Sequence, residues 1–190
     1  MKICLIHHLA SLGLLFGLLL GLASCATHNT SSDGSDGSLM LKSHDPVAYF
    51  TEGRPVPGRP EIKAEHEGVT YRFATENNRA LFVQNPGKYA PQYNGFCSNG
   101  IVYAIPLGGN HDTFRIIDGK LYMFGGENSK KYFEMDLERN LKLSREYWET
   151  EAKGHSAKLQ AWKRLLFKVP HYKTNRELAA EYEEIGRAHV

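Results

Sequence analysis

Cysteine is scarce in this chain of 190 residues, where only Cys4, Cys25 and Cys97 are present. Cys4 and Cys25 lie in or beside an amino-terminal apolar stretch, so Cys97 has no partner in the folded part and no intrachain disulfide is expected. Stability then has to come from packing. A surplus of one charge is also missing. The 23 Lys and Arg and 21 Asp and Glu leave a net charge of +2, with the signs mixed along the chain. That balance excludes a surface built to neutralise many phosphates, and no nucleic-acid partner is expected. There is no internal repeat, and no His or Cys pair has the spacing of a metal site. The longest apolar run, Leu9 to Leu22, is about 14 residues. A membrane-spanning helix needs about 20.

What the amino terminus does have is the layout of an export signal: Lys2, the apolar run, then small residues at Ala23 and Ser24. Residues 1–24 are therefore expected to be a cleaved signal peptide. The segment Leu22-Ala23-Ser24-Cys25 resembles the bacterial lipobox. That resemblance implies that Cys25 becomes the first mature residue and carries the lipid, palmitate among its acyl chains. Several chains on one cysteine make release from a membrane very slow. Ala26 stands where lipoproteins retained at the inner membrane carry Asp, which implies an outer-membrane location facing the periplasm. Thr27 to Ser38 contains no hydrophobic residue. Residues 25–43 are thus expected to be anchor and flexible tether, holding the folded part roughly 20 Å from the bilayer by random-coil scaling.

The whole chain is 42% hydrophobic with ten Tyr and nine Phe, which argues for one aromatic-rich core. The expected fold class is α+β: small antiparallel hairpins with an intervening helix, plus a helical carboxy-terminal extension. Asp45-Pro46-Val47-Ala48-Tyr49-Phe50 reads as extended, and residues 53–60, rich in Pro and Gly, as a loop. Ile62, Ala64 and His66 alternate toward a turn at Glu67-Gly68, and Val69, Tyr71 and Phe73 alternate on the return. Thr75 is placed to cap a helix that Asn85-Pro86 stops. Tyr89 to Gly100 concentrates aromatic and turn residues around Cys97. Ile101, Tyr103 and Ile105 alternate as a strand would, and Asp118-Gly119 marks a second hairpin over 113–124. From Glu127 the spacing turns helical. Leu137, Leu141, Trp148 and Ala152 share one helix, with an interruption at Gly154. Leu159, Trp162, Leu165 and Leu166 stand against Lys158, Lys163, Arg164 and Lys168 in a basic amphipathic piece, which would either touch anionic lipid or pack its apolar side on the domain. Thr174 to Glu177 forms a capping box, with Gly186 as the stop.

Five motifs occur in order: Asp45 to Phe50, Tyr71-Arg72-Phe73, Asn85-Pro86-Gly87-Lys88-Tyr89, Ala90-Pro91-Gln92-Tyr93 and Asp118-Gly119-Lys120-Leu121-Tyr122. Together they closely resemble the YHS domain family in its longer bacterial form, over residues 44–148, with the helical extension 149–190 outside. Metal-binding members of that family place cysteines at positions that here read Ala48, Ala74 and Asn78. All three thiolates are absent, and a soft metal centre needs about three or four such ligands. The resemblance therefore implies the fold without that metal chemistry. No enzymatic activity is expected from it.

The candidate thiol is Cys97, within Gly95-Phe96-Cys97-Ser98, which resembles the glycine-aromatic-cysteine element of the long form. Three readings stand side by side. Cys97 fills a small apolar space, leaving a structural or protein-interaction module for a periplasmic partner. Or it binds copper or another soft transition metal with His66, His111 or a methionine such as Met123. Or a histidine activates it as a nucleophile. His111 is expected in a glycine-rich surface loop, and His66 at a strand end beside a turn.

Overall fold

The computed structural model describes residues 27–188, so the signal peptide and the lipid-attachment residue Cys25 lie outside the described residues. The architecture is α+β. In chain order the elements are β1 (Thr30–Ser31), β2 (Leu39–Met40), α1 (Ala48–Thr51), β3 (Arg59–His66), β4 (Val69–Phe73), α2 (Glu76–Gln84), α3 (Pro86–Tyr89), α4 (Ser98–Ile101), β5 (Asn110–Ile117), β6 (Lys120–Phe124), α5 (Glu127–Glu134), α6 (Leu137–Tyr147), α7 (Ala157–Leu166) and α8 (Asn175–Ala188). One sheet has the order β1-β2-β4-β3 and the other is the β5-β6 hairpin.

Both expected hairpins form, for the reason their turns give. His66 pairs with Val69 around Glu67 and Gly68, and Ile117 pairs with Lys120 around Asp118 and Gly119. All four turn residues have positive φ, the geometry that suits the twist of a two-residue hairpin. Strand β6 divides the interior. Its side chains alternate between faces, and Leu121 and Met123 join Met40, Tyr49, Phe73 and Phe82 in one cluster. Tyr122 and Phe124 join Tyr93, Phe96, Phe133 and Trp148 in the other. The aromatic stretch around Cys97 crosses between the two, with Tyr89 in the first cluster and Tyr93 in the second.

Thr75 caps α2 by accepting from the Asn78 N–H at 3.1 Å. The capping box at α8 forms as well: Thr174 N–H donates to Glu177 Oε2 at 2.7 Å, and Glu177 N–H donates to Thr174 Oγ at 3.3 Å. Gly154, at φ 75°, separates the turn that follows α6 from α7.

Several expectations are corrected. Residues 27–43 are folded rather than a free tether, because polar contacts replace the missing hydrophobes. Thr30 and Ser31 pair with Met40 and Leu39. Asn29 Nδ2 donates to the carbonyls of both Gly95 and Gly109 at 2.9 Å. That junction requires glycine at 109, where a Cβ would stand 2.3 Å from the Gly95 carbonyl oxygen. The buried Arg72 guanidinium donates to Asp33 at 2.5 Å, Ser35 at 2.8 Å and Asp36 at 2.6 Å. Residues 48–51 are helical, not extended: Asp45 Oδ1 accepts from the N–H groups of Val47 and Ala48 in a turn that leads the chain into the helix, whose N-cap is Val47. Ile101 is in helix α4 and not a strand; it and Val102 are both buried, and Ala104 at φ 58° turns the chain away. Helix α8 runs past Gly186 to Ala188.

Candidate functional site

The buried carboxylate of Asp45 is the most heavily coordinated side chain near the motifs. Oδ1 accepts from Val47 N–H at 2.8 Å and Ala48 N–H at 3.3 Å. Oδ2 accepts from Ala74 N–H at 2.8 Å and from the Asn78 side-chain amide at 2.7 Å. Three elements meet here: Asp45 holds the turn that leads into α1, Ala74 follows β4, and Asn78 sits in the first turn of α2, whose start is fixed by Thr75. Positions 48, 74 and 78 thus converge on one carboxylate. The donors leave Asp45 no free direction for an incoming ion. Asn78 presents its amide nitrogen, which is a donor and not a ligand. This donor set does not fit a soft metal.

Cys97 is 2% exposed. Its N–H donates to the Leu107 carbonyl at 2.8 Å, its carbonyl accepts from Ile101 N–H at 3.1 Å, and its backbone bridges to Met123. Ser98 Oγ donates to the Met123 carbonyl at 3.1 Å, holding the segment against β6. The thiol lies beside Gly125, where an added Cβ would touch Sγ at 3.7 Å. A nucleophile needs a base within hydrogen-bond reach and an opening for substrate; a burial of this depth supplies no opening.

The two candidate histidines go elsewhere. His66 ends β3 as expected, edge-on to Phe82 with ring centroids 6.0 Å apart, and its Nε2 is 3.9 Å from Glu67. His111 lies in β5, where a loop was expected, and its side chain is only 19% exposed. It stacks on His44 with centroids 4.1 Å apart and planes 29° apart. Its backbone carbonyl accepts from the Tyr49 hydroxyl at 2.8 Å, while Nδ1 is buried without a partner. Burial first, and the neighbouring His44 second, push the His111 imidazole below its ordinary range. His44 Nδ1 is already within hydrogen-bond reach of the Leu41 and Lys42 carbonyls, at 3.1 and 3.2 Å. Among the described residues no group of three or more His, Cys, Asp and Glu is arranged to hold a metal ion.

A small cavity of about 40 Å³ beside His111 is lined by Asn29, Lys42, Gly95 and Met123. Two left-handed turns border it. Leu41, Lys42 and Ser43 have φ of 53°, 49° and 69°, and Tyr93, Asn94 and Gly95 have 54°, 52° and 78°. Residues of this kind cost roughly 1–2 kcal/mol each outside glycine. Asn29, bonded to Gly95, holds the second turn in place. A larger cavity of about 190 Å³ lies between α5, α6 and α8, lined by Tyr103, Arg139, His171, Lys173 and Glu181. Within it Lys173 pairs with Glu181 at 2.6 Å. Cys97, His66 and His111 do not line it.

Asp45, His44 and Arg72 were not singled out from sequence as site residues. The signal for Asp45 was present, as an aspartate before proline at the head of a short apolar segment. No protein-family model matches this chain, and no characterised protein or solved structure matches it.

Proposed function

We propose that this chain is an exported lipoprotein with a YHS-like domain, anchored through Cys25 at the periplasmic face of the outer membrane, and that it is a non-enzymatic module acting through its surface on a periplasmic protein partner. Cys97 belongs to the core. The observation that carries this reading is the convergence of positions 48, 74 and 78 on Asp45. These are the positions at which metal-binding YHS relatives hold cysteines, and in this chain a hydrogen-bonded carboxylate joins the same elements. The former centre survives as a structural knot.

Restoring the thiolates tests this. The variant carrying Ala48→Cys, Ala74→Cys and Asn78→Cys is expected to bind one equivalent of cobalt(II) with thiolate-to-metal absorption, while the parent chain shows none. Failure of the folded triple variant to bind would remove the YHS reading. Copper(I) titration of the parent and of Cys97→Ala is expected to give equal stoichiometry, and a loss specific to Cys97→Ala would return the thiol to the role of ligand.

A further inference from the structure

Helix α7 is docked with its polar side inward. Gln160 and Arg164 are buried, while Leu159, Trp162, Leu165, Leu166 and the following Phe167 are 57–69% exposed. At about 100° per residue, Leu159, Trp162, Leu165 and Leu166 form one arc on the side of the helix opposite Gln160 and Arg164.

The polar side is committed to the protein. The Gln160 amide donates to the Glu151 carbonyl at 2.6 Å, and Arg164 donates to the Tyr103 carbonyl at 2.8 Å and to the Glu151 carboxylate at 2.7 Å. The Arg164 guanidinium also lies over the Tyr147 ring at 5.6 Å. Rolling the helix to bury its apolar arc would break every one of these contacts and leave the Glu151 and Tyr103 acceptors without their donors. The arc is therefore a fixed outward surface.

We propose that α7 is a membrane-interface helix, its apolar arc seated in the headgroup region of an anionic bilayer, with Lys158 and Lys168 on the lipid phosphates. The composition fits: aromatic and leucine side chains on one side, Lys158 within that arc at the start of the helix, Lys168 just past its end, and a polar side turned away from lipid. A protein partner fits less well, since the cores of protein interfaces are depleted in lysine. The amino terminus adds proximity. Thr27 is already tied to the body, its carbonyl accepting from the Asn94 amide at 2.7 Å. Cys25 is two residues upstream, a reach of about 7 Å at 3.3–3.6 Å per residue. Only for this proximity does the inference rest on the anchored reading; the anchor would hold the body against the bilayer instead of roughly 20 Å above it.

The chain has two tryptophans, and Trp148 is buried, so Trp162 reports on the arc. The protein as isolated from bacterial membranes is reconstituted into phosphatidylcholine vesicles with or without phosphatidylglycerol. Its fluorescence minus that of Trp162→Phe is followed with brominated acyl chains and with acrylamide. In the anionic vesicles Trp162 is expected to shift to shorter wavelength, to be quenched by shallow bromines and to lose access to acrylamide. Lys158→Gln and Lys168→Gln should each lower the ratio of docked to undocked helix about fivefold. Three results would overturn the proposal: Trp162 open to acrylamide in anionic vesicles, docking indifferent to both lysines, or Trp162 shielded before lipid is added in a dimer seen by sedimentation. Palmitate labelling of the same preparation, with Cys25→Ala as control, reads the anchor independently. Label without docking defeats the helix and spares the anchor, and docking without label does the reverse.

Discussion

Asp45 and Cys97 are both buried, yet their side chains are held in opposite ways. Asp45 satisfies three backbone N–H groups and one amide, whereas Cys97 fills space. Removing an acceptor strands its donors, and each buried group left unpaired costs about 1–3 kcal/mol. Removing a buried sulfur costs on the order of 1 kcal/mol, the loss of one methylene-sized group with a small cavity. Asp45→Ala is therefore expected to lower stability by about 3 kcal/mol or more, and Cys97→Ala by about 1 kcal/mol. Urea midpoints compared at unchanged slope measure both. Equal losses would mean that the Asp45 network contributes no more than packing does.

The segment before α1 shows where composition misleads. Thr27 to Ser38 has no apolar side chain, and the absence of hydrophobes argues against order. What orders it is supplied by distant parts of the chain: carbonyls at Gly95 and Gly109, and a guanidinium at Arg72. Asn29→Ala removes both side-chain hydrogen bonds of the first clamp, a change of about 1.4 kcal/mol, and should speed amide exchange across β1 and β2 about tenfold. Exchange in β6 should not move. Uniform acceleration instead would mean that the segment unfolds only with the whole.

Elsewhere, local rules sufficed. The turns at Glu67-Gly68 and Asp118-Gly119 and the caps at Thr75 and Thr174 depend on neighbours within a few residues, and all four form as their sequences imply. The site was less legible. Leu41, Lys42 and Ser43 carry no signal for a left-handed turn, because tertiary contacts impose it. The alternation of Ile101, Tyr103 and Ile105 suggested a strand, but consecutive burial of Ile101 and Val102 belongs to a helix. In α7 the periodicity located the apolar arc correctly. It carried no information on which side faces the protein, since Glu151 and Tyr103, which hold Arg164, are tertiary partners.

Acidification should act on the whole molecule in two stages, and the sign follows from the direction of each shift. His111 is held below its ordinary value by burial and by His44, with Lys42 adding to the effect and Asp112 opposing it. His28 is lowered by burial and by His66, against Glu67. For a base whose folded pKa lies below its unfolded value of about 6.5, the unfolded chain binds more protons in the interval between the two. Stability is then complete above about 6.5 and falls as pH drops toward the folded value. The carboxylates follow lower down. Asp33 is depressed by its hydrogen bond from Arg72, and Asp36 by those from Lys63 and Arg72. Burial works to raise Glu151, but hydrogen bonds from Lys163 and Arg164 outweigh it and leave it low. Their contribution is present above the ordinary carboxylate range near 4 and is lost as pH falls through the depressed values. The order matters, because Asp33 and Asp36 fasten the amino-terminal segment and Glu151 fastens α7. Urea midpoints from pH 8 to 3 are expected to show a plateau, a first decline beginning near 6.5 and a second below about 4. His111→Phe should shrink the first decline and leave the second in place. A flat profile between pH 7 and 5, or a first decline unaltered in His111→Phe, would show that His111 does not couple protonation to folding.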